Sequence, residues 1–378
     1  MPHAQFNGYP SATFGRGKFE TCPPLKKEAT MTSSQRPEPK FSWFVPIDGD
    51  GEHIGTLRPE RPPTFDYLRD VVQTAEDAGY ESLLIPTRFA NGLFEEHSPL
   101  AETWTTATAL AVVTSRIRFL IAVRPGFVNP GLFAQMASAL DNISGGRIDL
   151  NIVPGGIQGE FEKFGIDIGH DERYGVAEEL IIALRQLWAA PEKTTLISDH
   201  IILEDALVSP GPTNDGPAFY LGGASPSALG LAGRQSDVLL MWIQTLEATS
   251  ALIERAIEQF EDAGREPEFG LRTHLIVRDS EDDAWTAADE LLSQADAIVQ
   301  DQRGLVTSGT SMVGQRAQTA SYKDHLMGEH LWNGISTVRV NCGTAIVGTP
   351  DQVADELKAY WDLGIDEFIL SGYPHVEE

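Results

Sequence analysis

The sequence predicts an α/β protein, a (β/α)8 TIM barrel with insertion loops, on three observations. Eight short apolar or β-branched runs begin near residues 41, 82, 117, 148, 218, 238, 269 and 367. Each is separated from the next by a segment with a helical apolar stripe, the alternation of a parallel βα array. Several of the runs are apolar throughout, as expected of strands covered on both faces. A doubly wound sheet shares the alternation but usually has fewer strands and a GxGxxG turn after the first. Here that turn reads IDGDGEHIG, with acidic residues where a pyrophosphate would sit.

Residues 1–40 are rich in Pro, Gly, Lys, Ser and Thr without an apolar period, so they read as a disordered extension in which Met31 offers an alternative start. The folded part is expected over 41–378 as one domain. FSWFVP forms the first strand and ends at a proline. TFDYLRDVVQTAEDAGY follows as a helix, with Leu68, Val71, Val72, Ala75 and Ala78 on one stripe and Gly79 as its stop. Strand SLLIP, helix PLAETWTTATALAVVT, strand IRFLIAVRPG, helix NPGLFAQMASALDNIS and strand IDLNIVPG come next. Helix DERYGVAEELIIALRQLWAA precedes an insertion near 190–217, and then strand AFYLGG, helix SPSALGLAGRQ, strand VLLMWI and helix LEATSALIERAIEQFEDAG resume the repeat. FGLRTHLIVRD is the seventh strand, and SEDDAWTAADELLSQADAIV the helix after it. A second insertion near 299–348 contains TSGTSMVGQR, whose short polar residues suggest a segment mobile until ligand binds. TPDQVADELKAYWDLG closes the series with Thr349 as N-cap, Pro350 at the first helical position and Gln352 completing a capping box, followed by strand DEFILSG. Both insertions are expected to wall the active site.

Composition narrows the function. Against 28 Lys plus Arg stand 55 Asp plus Glu, a formal charge of 28 − 55 = −27, which repels phosphate backbones and anionic lipid. Nucleic acid and membrane surfaces are therefore not expected partners. Cys22 and Cys342 make no disulfide framework or zinc spacing, and no apolar stretch or signal-peptide core is present, so a reducing cytoplasm is the expected location. HEXXH, HXH, GxSxG and SxxK are missing, which leaves metal and serine-nucleophile chemistry without support and predicts no metal site.

In a barrel the chemistry lies at the C-terminal ends of the strands. Those ends carry Trp43 and then His53, Thr87 and Arg88, Arg124, Asn151, Trp242, and Tyr373 with His375. In LRTHLIV, Arg272 and His274 are two apart and share a strand face. Arginine, histidine and aromatic residues around a wide mouth suit an anion and a flat ring, with a cofactor supplying the hard chemistry. Each has a blander reading. His274 alone also reads as a satisfied core histidine, His53 as a loop residue facing solvent, and Trp43 and Trp242 as packing. Arg124 and Arg339 read as counter-charges in an acidic protein, and His375 as structural. GGAS reads as a plain strand-to-helix turn. The acidic runs at 160–162 and 280–283 read as a solvated face and a helix N-terminus.

Taken together, SWFVP, GDGEHIGT, SLLIPT, IRFLIAVRPG, ALDNISGGRIDLNIV, HDERY, FYLGGAS, FGLRTHLIVRDSEDDAW, GTAIVGTPDQVADEL and FILSGYPHVEE resemble the bacterial alkanesulfonate monooxygenases of the luciferase-like group, from about Phe41 to Glu378. The sulfosugar branch acting on sulfoquinovose is among the readings. The resemblance implies a monooxygenase that uses reduced FMN (FMNH2), delivered by a separate NAD(P)H-dependent FMN reductase, with O2 as co-substrate. It would convert an organosulfonate to an aldehyde plus sulfite, as a homodimer or homotetramer. By the same resemblance Arg272, His274, Tyr373 and His53 are catalytic and Trp242 lines the substrate pocket, while Trp43, Arg124, Arg339 and His375 are candidate substrate-binding residues on their own chemistry. Asn151, Arg173, Tyr174, Gly222, Gly223 and Ser225 bind the flavin, and a glycine pair before a helix N-terminus is a sensible phosphate cradle.

Three positions depart from the family pattern. TRFANGLFEEHSPLAETW replaces a shorter segment that carries a cysteine, Pro154-Gly155 stands where relatives have Thr-Gly, and Ala224 replaces a second serine. Relatives also continue past the position of Glu378. The reshaped loop makes a bulky or polar sulfonate a candidate beside simple alkanesulfonates; the rival readings are a luciferase-like oxygenase acting on a sulfone, an amine or an amino-sugar, or a flavin-binding subunit without catalysis. The ending SGYPHVEE argues against deazaflavin-dependent hydride transfer.

Overall fold

The computed structural model describes residues 36–155, 160–189, 192–214, 216–308, 310 and 312–378. Eight parallel strands close into a barrel: β1 (Lys40–Phe44), β2 (Ser82–Ile85), β3 (Arg118–Val123), β4 (Ile148–Ile152), β7 (Phe219–Gly222), β8 (Val238–Trp242), β9 (Glu268–Arg272) and β13 (Glu367–Leu370), with β13 sealing β1 to β9. Each begins within one residue of its predicted start. The covering helices are α1 (Phe65–Ala78), α2 (Thr103–Ala111), α3 (Pro130–Ser144), a short α4 (Glu160–Lys163), α5 (Glu172–Trp188), α6 (Pro226–Gln235) and α7 (Leu246–Asp262). They are followed by α8 (Glu281–Leu292), α9 (Ala297–Thr307), α10 (Val313–Gln318) and α11 (Pro350–Leu363), whose capping box at Thr349 and Gln352 is formed.

Period-two alternation sorts the strand residues. Phe44, Leu84, Leu120, Tyr220, Val238, Leu240 and Ile369 fill the barrel interior, while their neighbours Trp43, Leu83, Phe119, Leu150, Leu239, Leu271 and Phe368 pack under the helices. The lower interior is polar. Glu367 accepts Ser42 Oγ at 2.5 Å and Tyr220 Oη at 2.8 Å, and burial pushes its carboxyl above the usual range.

Four expectations need correction. The ordered chain starts before Phe41, because Arg36 bonds the carbonyls of Trp361 and Ile365 and pairs with Asp366 at 2.6 Å; residues 1–35, with Cys22 and Met31, lie outside the described residues. The seventh strand is two strands. Thr273 turns the chain out of the barrel, and β10 (His274–Val277) joins an outer sheet with β12 (Ala345–Gly348) and β11 (Leu331–Trp332). The helix expected after it is likewise two, α8 and α9, with Asp296 capping the second. Finally, the end of the TSGTSMVGQR stretch is helical, contributing to α10, whose Gln315 and Gln318 are buried, while its residues 309 and 311 lie outside the described residues. The first insertion folds as the hairpin β5 (Thr194–Ile197) and β6 (Ile202–Ala206). No helix among the described residues is long and apolar enough to cross a membrane.

Candidate active site

The strand register brings the site together. Trp242 on β8 is paired with Arg272 on β9, so both side chains emerge side by side at the C-terminal mouth. There a cleft of about 1320 Å³, open solvent included, is lined by residues from β2, β3, β4, β7, β8 and β9 and by α10 with the loop before β12. Gly314 of α10 lies so close to Trp242 that a Cβ there would come within 3.2 Å of the indole, so the helix forms a roof over that side.

One wall is cationic. Arg88, Arg124, Arg272 and Arg339 all line the cleft. Arg88 Nε pairs with buried Asp48 at 2.9 Å, and Arg124 Nη2 pairs with Glu160 at 2.9 Å while another of its nitrogens meets the Gly155 carbonyl. Glu160 is thus a buried counter-charge, and only the remainder of its acidic run is a solvated face. Asn341, with its amide oxygen toward Arg88, accepts from both terminal nitrogens at 3.2 and 3.3 Å. Arg272 and Arg339 have no carboxylate partner among the described residues. Arg272 lies 4.0 Å over the Phe44 ring and touches only neutral groups, His274 Nε2 and Ser371 Oγ, both at 3.5 Å. Arg339 donates to Tyr373 Oη at 2.6 Å, and its Nε has no partner. Burial, with repulsion from Arg339, lowers the Arg272 guanidinium to about 10.

His274 and Tyr373 form the row behind this wall rather than its surface. Their rings stack at 5.4 Å. His274 is fully buried, with Nδ1 2.8 Å from Ser371 Oγ and Nε2 3.1 Å from the Cys342 carbonyl, an arrangement that assigns the proton to Nε2. Burial, then Arg272 and Arg339, push its pKa well below the ordinary value. The imidazole is therefore neutral and both nitrogens are occupied. Behind Tyr373, His375 stands edge-on at 5.0 Å with Nδ1 3.0 Å from Asp50 Oδ2, both buried. Burial alone would raise the Asp50 carboxyl, but His375 and Tyr67 outweigh it and hold it low.

The facing wall is neutral and backbone-rich. Asn151 on β4 presents an Oδ1 without a partner, Tyr174 lies 3.4 Å from Ser225 Oγ, and β7 ends in Gly222, Gly223 and Ala224 before α6. Ser225 caps α6 through the Ala228 N–H. Gly223 has φ +149, and a Cβ there would meet Ala228 Cβ at 2.6 Å, so only glycine lets the turn approach the helix end. A helix N-terminus beside exposed backbone, with an unsatisfied amide above it, fits the phosphate and ring of a flavin mononucleotide.

Of the sequence candidates, Arg124, Arg272, Arg339, Trp242, Asn151, Tyr174, Gly222, Gly223 and Ser225 line the cleft. His53 does not. It bonds Glu60 of its own loop at 2.9 Å and Gln294, just after α8, at 3.1 Å. Trp43 points out of the barrel, because it alternates with inward Phe44, and packs on Tyr80. Arg173 lies 4.0 Å over Phe161 and bonds the Ile168 carbonyl, away from the cleft. His375 is tied to Asp50 behind Tyr373. Reading the strand ends noted Arg88 without assigning it a role, although its place after β2 was the available signal. Asn341, Gln315 and Gln318 carried none. Gln315 Oε1 accepts the Asn341 N–H at 2.7 Å, while Gln318 Oε1 accepts the Gly343 N–H at 2.9 Å and its Nε2 donates to the Ile243 carbonyl.

Comparison with known proteins gives one family and a set of like folds. A family model described as luciferase-like monooxygenase matches residues 40–367. Among solved structures, the long-chain alkane monooxygenase LadA is 17% identical with TM-score 0.71, covering 91% of this chain and 88% of its own. DmoA from Hyphomicrobium sulfonivorans is 19% identical with TM-score 0.71, at 90% and 86% coverage. The oxygenating constituent of 3,6-diketocamphane monooxygenase from Pseudomonas putida, in complex with FMN, is 17% identical with TM-score 0.63, at 90% and 94% coverage. At these identities the likeness is one of fold.

Proposed function

Because this chain belongs to the luciferase-like monooxygenase family, we propose that it is an FMNH2-dependent oxygenase that desulfonates an organosulfonate to an aldehyde and sulfite. The observation that carries this reading is the pair Arg272 and Arg339: two buried guanidiniums lining the cleft without a carboxylate among the described residues. Burying an unpaired charge is costly, and a site that does so is built to receive the opposite charge. A sulfonate, with three acceptor oxygens, meets several of these donors at once.

The neutral wall supports flavin at Asn151, Tyr174, Gly222, Gly223 and Ser225. When bound, reduced FMN supplies the two electrons with which O2 gives one oxygen atom to the sulfur-bearing carbon and one to water. Arg272 and Arg339 hold the sulfonate oxygens and favour the charge that collects on departing sulfite. His274, neutral and engaged at both nitrogens, positions Arg272 through Ser371, whose hydroxyl donates to Nδ1 and accepts from Arg272 Nη2, instead of acting as an open base. Tyr373 fixes Arg339 through its hydroxyl. Trp242, under Gly314 of α10, covers the mouth and limits water.

The reduced flavin is proposed to come from a separate NAD(P)H-dependent reductase, and the oxygenase to act in the cytoplasm as a homo-oligomer. The test is sulfite release from a panel of alkyl, aryl and sugar sulfonates with reduced FMN and O2. Sulfite from at least one member is expected, and none from any member overturns the reading.

A further inference from the structure

The cationic wall carries more charge than one sulfonate can match. Four guanidiniums line the cleft, and two carboxylates, Asp48 and Glu160, touch them, which leaves an excess of 4 − 2 = 2. The four repel one another across the same cleft. Arg124 feels Arg88, Arg88 feels Arg339, and Arg339 feels Arg272. Asn341 links Arg88 to Arg339, since its oxygen holds the Arg88 fork and it lies two residues from Arg339. Arg88 spends only Nε on Asp48, and its two terminal nitrogens meet a neutral amide alone. Among the described residues the buried Nε atoms of Arg124 and Arg339 have no hydrogen-bond partner.

With the flavin phosphate assigned to the facing wall at Gly222, Gly223 and Ser225, a monoanion at Arg272 and Arg339 leaves one buried positive charge of the cationic wall without a local counter-charge. A hydroxyl on the substrate would satisfy donors but bring no charge. A carboxylate or second acid would do both, and a guanidinium fork is the side chain that matches it in two-point geometry. We propose that the substrate is a dianion, a sulfonate bearing a second acidic group, with the sulfonate at Arg272 and Arg339 and the second acid at the Arg88 fork. This rests on the sulfonate reading of the same cleft and deepens it.

The test compares 3-sulfopropanoate with its neutral amide, 3-sulfopropanamide, which match in shape and differ by one charge. Each is titrated calorimetrically into the purified full chain. The acid binds more tightly by about tenfold or more, the scale of one desolvated charge pair across an interface. Arg88→Lys keeps a cation against Asp48 but removes the fork, and narrows the ratio. Asn341→Asp sets a carboxylate against the same fork, narrows the ratio too, and serves where the lysine variant does not fold. A ratio near unity in the unaltered protein overturns the dianion, and an unchanged ratio in a folded variant overturns the assignment to Arg88. Sulfite release with reduced FMN separates the two readings. Sulfite from both ligands with equal affinities leaves the sulfonate reading standing and removes this one, whereas no binding and no sulfite from any sulfonate removes both.

Discussion

Arg272 and His274 divide the work of one short segment. Arg272 is the last residue of β9 and faces the cleft, and His274 is the first of the neighbouring sheet and faces the back of Arg272. Replacing Arg272 by alanine leaves Arg339 as the only cation of the wall without a carboxylate partner among the described residues. A charged hydrogen bond in a buried site is worth about 2–5 kcal/mol, so kcat/KM for a sulfonate is expected to fall by about a hundredfold or more. Steady-state sulfite release checks it, and a neutral substrate should feel the change far less. His274 gives a pH signature in stability. Its folded-state pKa lies well below 6.5, so below that pH the unfolded chain binds a proton that the folded chain refuses. Stability is then complete above the unfolded pKa and falls by about 1.4 kcal/mol per pH unit on acidification, until the folded pKa is reached. Thermal melts between about pH 7 and 5 should show the slope, and His274→Gln should flatten it.

Two elements set the flavin side, and both test simply. Gly223→Ala forces a methyl group against Ala228 at a φ that L residues avoid, so the β7–α6 turn must open. It should weaken FMN binding in a fluorescence titration and lower the melting temperature by an amount worth about 1–3 kcal/mol. Ser225→Ala removes the N-cap bond of α6 and should cost about 1 kcal/mol, with a smaller loss of FMN affinity. At this scale the sequence was most legible where local patterns rule. All eight barrel strands, the cap at Thr349 and the helix starts at Ser225 and Ser280 follow from periodicity and capping, whereas the register that sets Arg272 beside Trp242 came only with the sheet. Trp43 was misread because it stands beside inward Phe44 and so faces the helices by alternation. The break at Thr273 was not legible, since FGLRTHLIV is apolar across it and only pairing with β12, some seventy residues on, draws the chain away. Asn341 was invisible for the same reason. Its place depends on Gln315 and Gln318 of α10, contacts made by tertiary folding and not by local spacing.

Over the whole molecule an acidic surface surrounds a cationic cleft. The formal charge of −27 belongs to the field that an anionic substrate crosses before it meets Arg88, Arg272 and Arg339. Raising ionic strength from about 0.01 to 0.1 M shortens the screening length from about 30 to 10 Å, which damps the long-range repulsion more than the buried contacts. KM for a sulfonate should therefore fall several-fold over that range, and a rise would mean that the local arginines already govern capture at a distance. The barrel, the charge balance and the cleft converge on one claim, that oxygen is spent on carbon–sulfur cleavage. Sulfite formed and O2 consumed, measured together with reduced FMN and a sulfonate, decide it: the two are expected in equal amounts above the flavin-only background. O2 consumption on adding the sulfonate without any sulfite would contradict it.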